Sequence, residues 1–294
     1  MRIGASPYGS DRATTLAFAD ALVAAGLDTL WLGDGIFKRP DFAGWRGGFE
    51  SMTELAWLAG RHPAARIGIT AAVLPLRDVD WLAREAATLD HLTDGRFVLA
   101  VAAGFWADEL THRGIDPARR GTELRARLAR LQQLWFPASP LSPAPRTPGG
   151  PPIWLAGGPP TMRLALDLDL PYQASRALPT DLAPVAARWF DNGGGLLAHR
   201  IYVEAGDDVP DGEQVARHVL HGPATALTDG LAAFAALGVA DLSLVLGHDD
   251  ASARHTLDVL ATDVLPHLAP EGDAARVGSV QDRVAPSGVV RPPG

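Results

Sequence analysis

Hydrophobic and polar positions along the chain switch repeatedly between two periods. Short apolar runs, RIGAS (2–6), DTLWLG (28–33), RIGITAAVL (66–74) and FVLAVAA (97–103), have the length and β-branched content of strands. Between them lie segments with apolar residues at helical spacing. The clearest stretch is 82–135. Leu82, Ala86, Leu89 and Leu92 share a helix face that stops at Thr93-Asp94-Gly95. The run from Phe97 to Ala103 follows, apolar throughout as in a strand buried on both sides. It ends at Gly104. A polar loop leads to Gly121, and a second amphipathic helix carries Leu124, Leu128, Leu131 and Trp135.

The same alternation runs through the rest of the chain. A helix over 16–25 precedes the second strand, and a long loop, 34–50, follows it with Phe37, Phe42, Trp45 and Phe49. Ser51 and Glu54 have capping-box spacing for a helix to Gly60. The proline-rich segment 136–152 leads from a helix into a strand, which puts it at the bottom of a barrel as a spacer. Further strands are expected at 153–156, 172–175, 199–204 and 241–246, with helices at 161–168, 180–191, within 214–237, and from about 250 to 267. Eight strand-then-helix alternations predict an α/β protein with a single (β/α)8 TIM barrel over 1–270. The tail, 271–294, is poor in apolar residues and is expected to be disordered. An open doubly wound sheet is the competing arrangement; a dinucleotide-binding one would carry G-x-G-x-x-G after an early strand, and this sequence has none.

Composition narrows the function. The 294 residues, 47% of them hydrophobic, suffice for one large core. A net charge of −8 with no long basic run argues against nucleic acid or an anionic membrane surface as a partner. Without cysteine there are no disulfides, thiolate nucleophiles or Cys-held metals. No apolar stretch reads as a leader or a membrane span, so the expectation is a soluble cytoplasmic protein.

Residue types then weaken several barrel chemistries. The only lysine, Lys38, sits in a loop beside Arg39 and Pro40 rather than at a strand end, which disfavours a Schiff-base mechanism. No His-x-His pair suggests a metal centre. His218 and His221 fall in a segment read as helical and solvated. His248-Asp249-Asp250 has the makings of an acid/base or metal cluster, but reads better as a solvated loop opening a helix. No G-x-S-x-G elbow is present. A bound cofactor is left to carry the chemistry. Gly157-Gly158, between a strand and a helix near Thr161, fits a phosphate cradle, with Arg163, Ser175 and Arg176 available nearby. Pro159 and Pro160 remove two amide donors from it.

Thr88-Leu89-Asp90, Asp94-Gly95-Arg96-Phe97, Gly104, Glu109, Gly114, Arg120, Glu123 and Leu134-Trp135 resemble, in order and spacing, the bacterial luciferase-like flavin and deazaflavin oxidoreductases. Weaker matches extend over roughly 1–268. Leu74-Pro75-Leu76-Arg77 is similar to the subgroup with an LPLR segment after the third strand. The resemblance implies a (β/α)8 barrel whose third strand bends beneath the cofactor ring with a bulge and a non-prolyl cis peptide, here at Thr70, Ala71 and Ala72. It implies cofactor contacts at Gly104, Gly157, Gly158, Thr161, Ser175 and Arg176. Many members have a histidine after the strand-two aspartate; here Gly35 follows Asp34, which leaves Asp34 and Arg77 as the candidate catalytic residues. Glu109, Arg120 and Glu123 are expected to form a structural charge cluster, and loop 34–50 a lid.

The implied activity is an FMN-dependent monooxygenase acting with O2 on a small organic substrate and served by a separate flavin reductase, with a homodimer possible and no metal. An F420-dependent hydride-transfer enzyme and a non-catalytic flavin-binding paralogue are the alternatives.

Overall fold

The computed structural model describes residues 1–268 apart from 8, 10, 38–47 and 207–217. Strands β1 (Arg2–Ala5), β2 (Thr29–Leu32), β3 (Arg66–Val73), β4 (Phe97–Ala102), β5 (Ile153–Ala156), β6 (Tyr172–Ser175), β7 (Leu197–Ala205) and β9 (Val239–Leu246) pair in parallel. They close as β1-β2-β3-β4-β5-β6-β7-β9 and back to β1, an eight-stranded TIM barrel. Outside it pack α1 (Arg12–Ala24), α2 (Ser51–Arg61), α3 (Val79–Leu92), α4 (Ala107–His112), α5 (Arg120–Leu134), α6 (Pro159–Asp167), α7 (Pro179–Asp191), α8 (Ala224–Ala236), α9 (Asp250–Val259) and α10 (Leu265–Leu268). No helix among the described residues is long and apolar enough to cross a membrane.

Within 214–237 the expected helix is present as α8, but a ninth strand precedes it and corrects the reading of His221 as helical. β8 (Val219–Gly222) pairs with the upper half of β7, on the side that β6 covers lower down. His221 is therefore a strand residue paired with Glu204, and not one of two histidines on a helix. The short run VLHG is too brief for the sequence pattern to separate strand from helix. The tail call and the greater part of the lid call, 271–294 and 38–47, lie outside the described residues.

Strand alternation divides the side chains cleanly. On β7, His199, Ile201 and Val203 face the helices; His199 stacks on Phe234 of α8 with centroids 5.0 Å apart. Ala198 belongs instead with Trp31, Val98, Ala100 and Trp154, the cluster filling the barrel axis. Trp31 and Trp154 pack with centroids 5.3 Å apart, and Gly68 makes room for them: a Cβ there would lie 2.2 Å from the Trp31 ring. Beneath them Arg66 pairs with Asp241, its guanidinium 5.4 and 5.2 Å from the two indole rings.

The most distinctive sequence motif also belongs to this lower end. Asp90 is fully buried and accepts from the Thr147 amide (2.6 Å) and hydroxyl (2.8 Å), tying the proline-rich connector to α3. Gly95, at φ 81°, donates to the Asp90 carbonyl, and Arg96 reaches the carbonyls of Pro63 and Ala65. These residues close the bottom of the barrel.

Candidate active site at the barrel mouth

Between Ile69 and Ala72 the register of β3 against β4 shifts, and the Thr70-Ala71 peptide is cis. Thr70 is buried and takes a place in the barrel axis. Its hydroxyl donates to Gln173 Oε1 of β6 at 2.7 Å, and Arg200, from β7 on the opposite wall, donates to its carbonyl. Gln173 Nε2 is left buried without a partner, as are the hydroxyls of Ser6 and Ser243. Turning the Gln173 amide over would exchange its partner and still leave one polar atom unpaired. Buried polar atoms are nearly always satisfied, so three orphans on β6, just past β1 and on β9 mark where water or a ligand belongs. Small residues, Ala71, Ala72, Ala100 and Ala102, stand nearby on β3 and β4.

On the β2–β3 side Asp34 and Arg77 are brought together. Arg77 Nε lies 2.8 Å from Asp34 Oδ2 and Nη2 2.6 Å from Oδ1; Nη2 also reaches Glu50 at 2.8 Å. Asp34 Oδ2 further accepts from the Val73 amide at 2.9 Å. Burial works against the Arg77 charge, but the hydrogen bonds to Asp34 and Glu50 outweigh it and raise its pKa. Burial likewise acts to raise Glu50, yet Arg77 and the Thr53 and Met52 amides hold it down to about 2. Glu50, not Ser51, caps α2, while the Ser51 hydroxyl donates to the Gly33 carbonyl at 2.5 Å. The whole assembly clamps the ends of β2, β3 and α2 to one another. Glu54 of α2 is buried, and burial followed by repulsion from Glu50 lifts its carboxyl to about 7.

The predicted Glu109–Arg120–Glu123 cluster does not form. Glu109, on α4 within a segment read as loop, accepts instead from the Ile36 and Phe37 amides and so fixes the chain leaving β2. Arg120 donates to the Pro117 carbonyl, and Glu123 pairs with Arg127 one turn on. Sequence spacing within one segment hid a partner seventy residues away.

Gly157, Gly158, Thr161, Ser175 and Arg176 gather at the β5–β6 side. Tyr172 donates to the Gly157 carbonyl at 2.6 Å, and burial pushes its phenol up to about 12. A Cβ on Gly157 would strike Thr161 Oγ1 at 2.6 Å, whereas one on Gly158 meets nothing within 4 Å. Pro159 and Pro160 occupy the first two positions of α6, and the Thr161 and Met162 amides are bonded to Gly158 O. Donors for an anion here must therefore come chiefly from side chains. Arg176, at φ 57°, lies 5.1 Å from the Phe105 ring, and Gly104 packs on Val73 at the end of β3.

The rim on the β7–β9 side holds a pair the sequence reading missed. His248 Nδ1 meets Glu204 Oε1 at 2.5 Å; Glu204 is buried and His248 half-exposed. Asp249 and Ser252 form the capping box of α9, so the expected helix start is present, but His248 itself is held by the barrel. A histidine after one strand and a carboxylate at the end of another, forty-four residues apart, leave no local signal. His199 is no part of this: burial lowers it to about 4, and its Nε2 is bonded to Ala177 O. Among the described residues no cluster of three ligating side chains is fit to hold a metal.

The closed parallel barrel with helices outside it is a TIM barrel, a fold whose sites lie at the C-terminal ends of the strands. Residues 2–188 match the luciferase-like monooxygenase model, and the chain belongs to that family. An uncharacterized protein of Mycobacterium tuberculosis is 45% identical over 67 residues, 22% of this chain and 24% of that one. The 4-hydroxyprotoasukamycin monooxygenase of Streptomyces nodosus subsp. asukaensis is 36% identical over 118 residues, 38% of this chain and 30% of that one. The chain thus matches only about a quarter to a third of these relatives' length. Among solved structures, the oxygenating constituent of 3,6-diketocamphane monooxygenase from Pseudomonas putida, in complex with FMN, superposes with a TM-score of 0.71 at 18% identity, covering 90% of this chain and 98% of that one. An F420-dependent secondary alcohol dehydrogenase gives 0.75 at 14% identity, covering 91% and 99%. At such identities the likeness is one of fold.

Proposed function

We propose that the protein is a flavin-dependent oxidoreductase that uses reduced FMN and O2 to oxygenate a small organic substrate, with the flavin supplied by a separate reductase. The observation that carries this reading is the β3 bulge with Thr70 bonded to Gln173, whose Nε2 is buried without a partner. Relatives named as monooxygenases support the oxygenation. The bound cofactor would supply the two-electron chemistry and the reaction with oxygen. The chain's own residues would hold it: Thr70, Ala71 and Ala72 against one face of the ring, Gln173 and the serines at its polar edges, and Thr161, Ser175 and Arg176 with Gly157-Gly158 at the phosphate. Asp34 and Arg77 act in this reading by fixing the end of β3 rather than by exchanging protons, since each is committed to the other.

The fold likeness to an F420-dependent dehydrogenase keeps a deazaflavin as the second reading, because the same mouth suits either ring. Titration with FMN, FAD and F420, followed by fluorescence quenching in oxidised and reduced form, separates the two. FMN binding near micromolar is the expected result, and F420 binding alone points to hydride transfer. Binding with no turnover identifies a non-catalytic paralogue. The phosphate assignment is tested by Gly158→Val. Its Cβ enters open space, so the fold is kept, while FMN is expected to bind at least about tenfold more weakly, roughly 1.4 kcal/mol, with riboflavin little changed.

A further inference from the structure

The lumen-facing positions of β7 carry on upward from Arg200 through Tyr202 to Glu204, one pleat at a time. Glu204 therefore ends the same wall whose Arg200 spans the barrel to Thr70. From the end of β9, His248 turns back over it and fixes its Nδ1 on the carboxylate. On the other side His221 is Glu204's cross-strand neighbour on β8, with a buried Nδ1 that has no partner. Asp249 Oδ2 lies 3.6 Å from His248 Nε2, a charge contact, and is itself engaged in capping α9. Asp250 opens that helix, and Tyr202 lies one pleat below. A buried carboxylate that orients one imidazole, whose second nitrogen faces a half-open rim, is the arrangement general acid/base chemistry requires.

We infer that His248, oriented by Glu204, is the proton-transfer residue of the barrel mouth; the inference rests on the flavin reading above. Glu204 accepts from Nδ1–H and balances the imidazolium charge, so the proton that moves is the one on Nε2. In the absence of an organic substrate the step is a simple one. A reduced flavin anion held here would supply two electrons and one proton to O2, and the His248 imidazolium would supply the second proton, so that one hydrogen peroxide would leave and oxidised flavin remain. An N–H bond at Nε2 breaks, an O–H bond forms, neutral His248 keeps its Nδ1–H on Glu204, and solvent restores the lost proton.

The test uses the full chain with FMN, photoreduced and then mixed with air-saturated buffer. His248→Ala should bind FMN within about twofold of the wild type and reoxidise it at least about tenfold more slowly, and added imidazole should restore the rate. Independently of turnover, nitrogen-15 NMR of the unliganded protein should find the Nδ1–H tautomer at His248, lost in Glu204→Ala. If that variant does not fold, Glu204→Gln keeps an acceptor and removes the charge; it should keep the tautomer and slow reoxidation. Reoxidation by His248→Ala at the wild-type rate, a slowed rate that imidazole does not restore, or an Nε2–H tautomer in the wild type would each overturn the inference. Failure of the wild type to bind FMN removes the flavin reading and this inference together; binding with unchanged reoxidation removes the inference alone.

Discussion

The two ends of the barrel differ in the polarity they bury: a charged pair at the lower end, neutral polar side chains above it. At the lower end the buried charges stand in pairs: Arg66 with Asp241 beneath two indoles, one Asp241 oxygen being left without a partner, and Asp90 with two donors of Thr147. Above it Gln173, Ser6 and Ser243 each keep an atom without a partner. Burying a polar atom unpaired costs on the order of 1–3 kcal/mol, a cost that a bound ligand or water would relieve. In the function proposed above, the lower end closes the barrel and a ligand completes the upper end.

The largest effect that sharpens this contrast is at the bottom. Burial works against both charges there, lowering Arg66 and raising Asp241, and the pair offsets that in part. Arg66→Ala strands a buried carboxylate and removes the packing on Trp31 and Trp154; it should cost about 3–5 kcal/mol by denaturant unfolding. A loss under about 1 kcal/mol would break the idea that this end is the structural one.

Next comes Glu54. Its carboxyl is raised from 4.5 to about 7 by burial and by Glu50, so it is neutral in the fold where it would be ionised in the unfolded chain. The stability this contributes is fully present below about pH 4.5 and is lost as pH rises through 7, on the order of 2–3 kcal/mol in all. Glu54→Gln should flatten the fall in melting temperature between pH 5 and 8. Glu50 behaves oppositely: held down to about 2, it contributes above pH 4.5 and loses that contribution as pH falls toward 2.

Arg77→Ala is expected to lower stability by about 2–4 kcal/mol, because Asp34 would be left nearly buried and unpaired. A reduced turnover at unchanged melting temperature would instead give Asp34 and Arg77 the direct role that the sequence suggested. The smallest effect is the most telling about purpose. Ser243→Ala deletes an orphan hydroxyl, so the unliganded protein should be unchanged or up to about 1 kcal/mol more stable, while FMN binds more weakly.

How far the sequence carried depended on whether the signal was local. Strand runs and helical periods placed eight strands because a parallel barrel writes its core continuously into each element. The β3 bulge was implied at Thr70, Ala71 and Ala72 by a family resemblance carried elsewhere in the chain, not by those residues' own pattern. β8 escaped because four residues carry too little periodicity, and the Glu50 cap escaped because Ser51 imitates the commoner capping signal. The Glu204–His248 pair, Glu109 on the Ile36 amide, and Arg200 on Thr70 all join residues dozens of positions apart. Only closure of the barrel brings them together. Conversely Asp90, Gly95 and Arg96, the motif that made the resemblance recognisable, serve the sealed end.

The central claim is that the polar orphans of the mouth exist for a flavin-type cofactor. Titrating FMN and F420, oxidised and reduced, against the wild type and Gln173→Leu tests it most directly, with melting temperatures recorded alongside. The account predicts micromolar binding of one of these cofactors to the wild type. Gln173→Leu should bind it at least about tenfold more weakly, roughly 1.4 kcal/mol, while unfolding within a few degrees of the wild type. Equal affinity in the two proteins, or no binding of either cofactor to the wild type in any redox state, would contradict it.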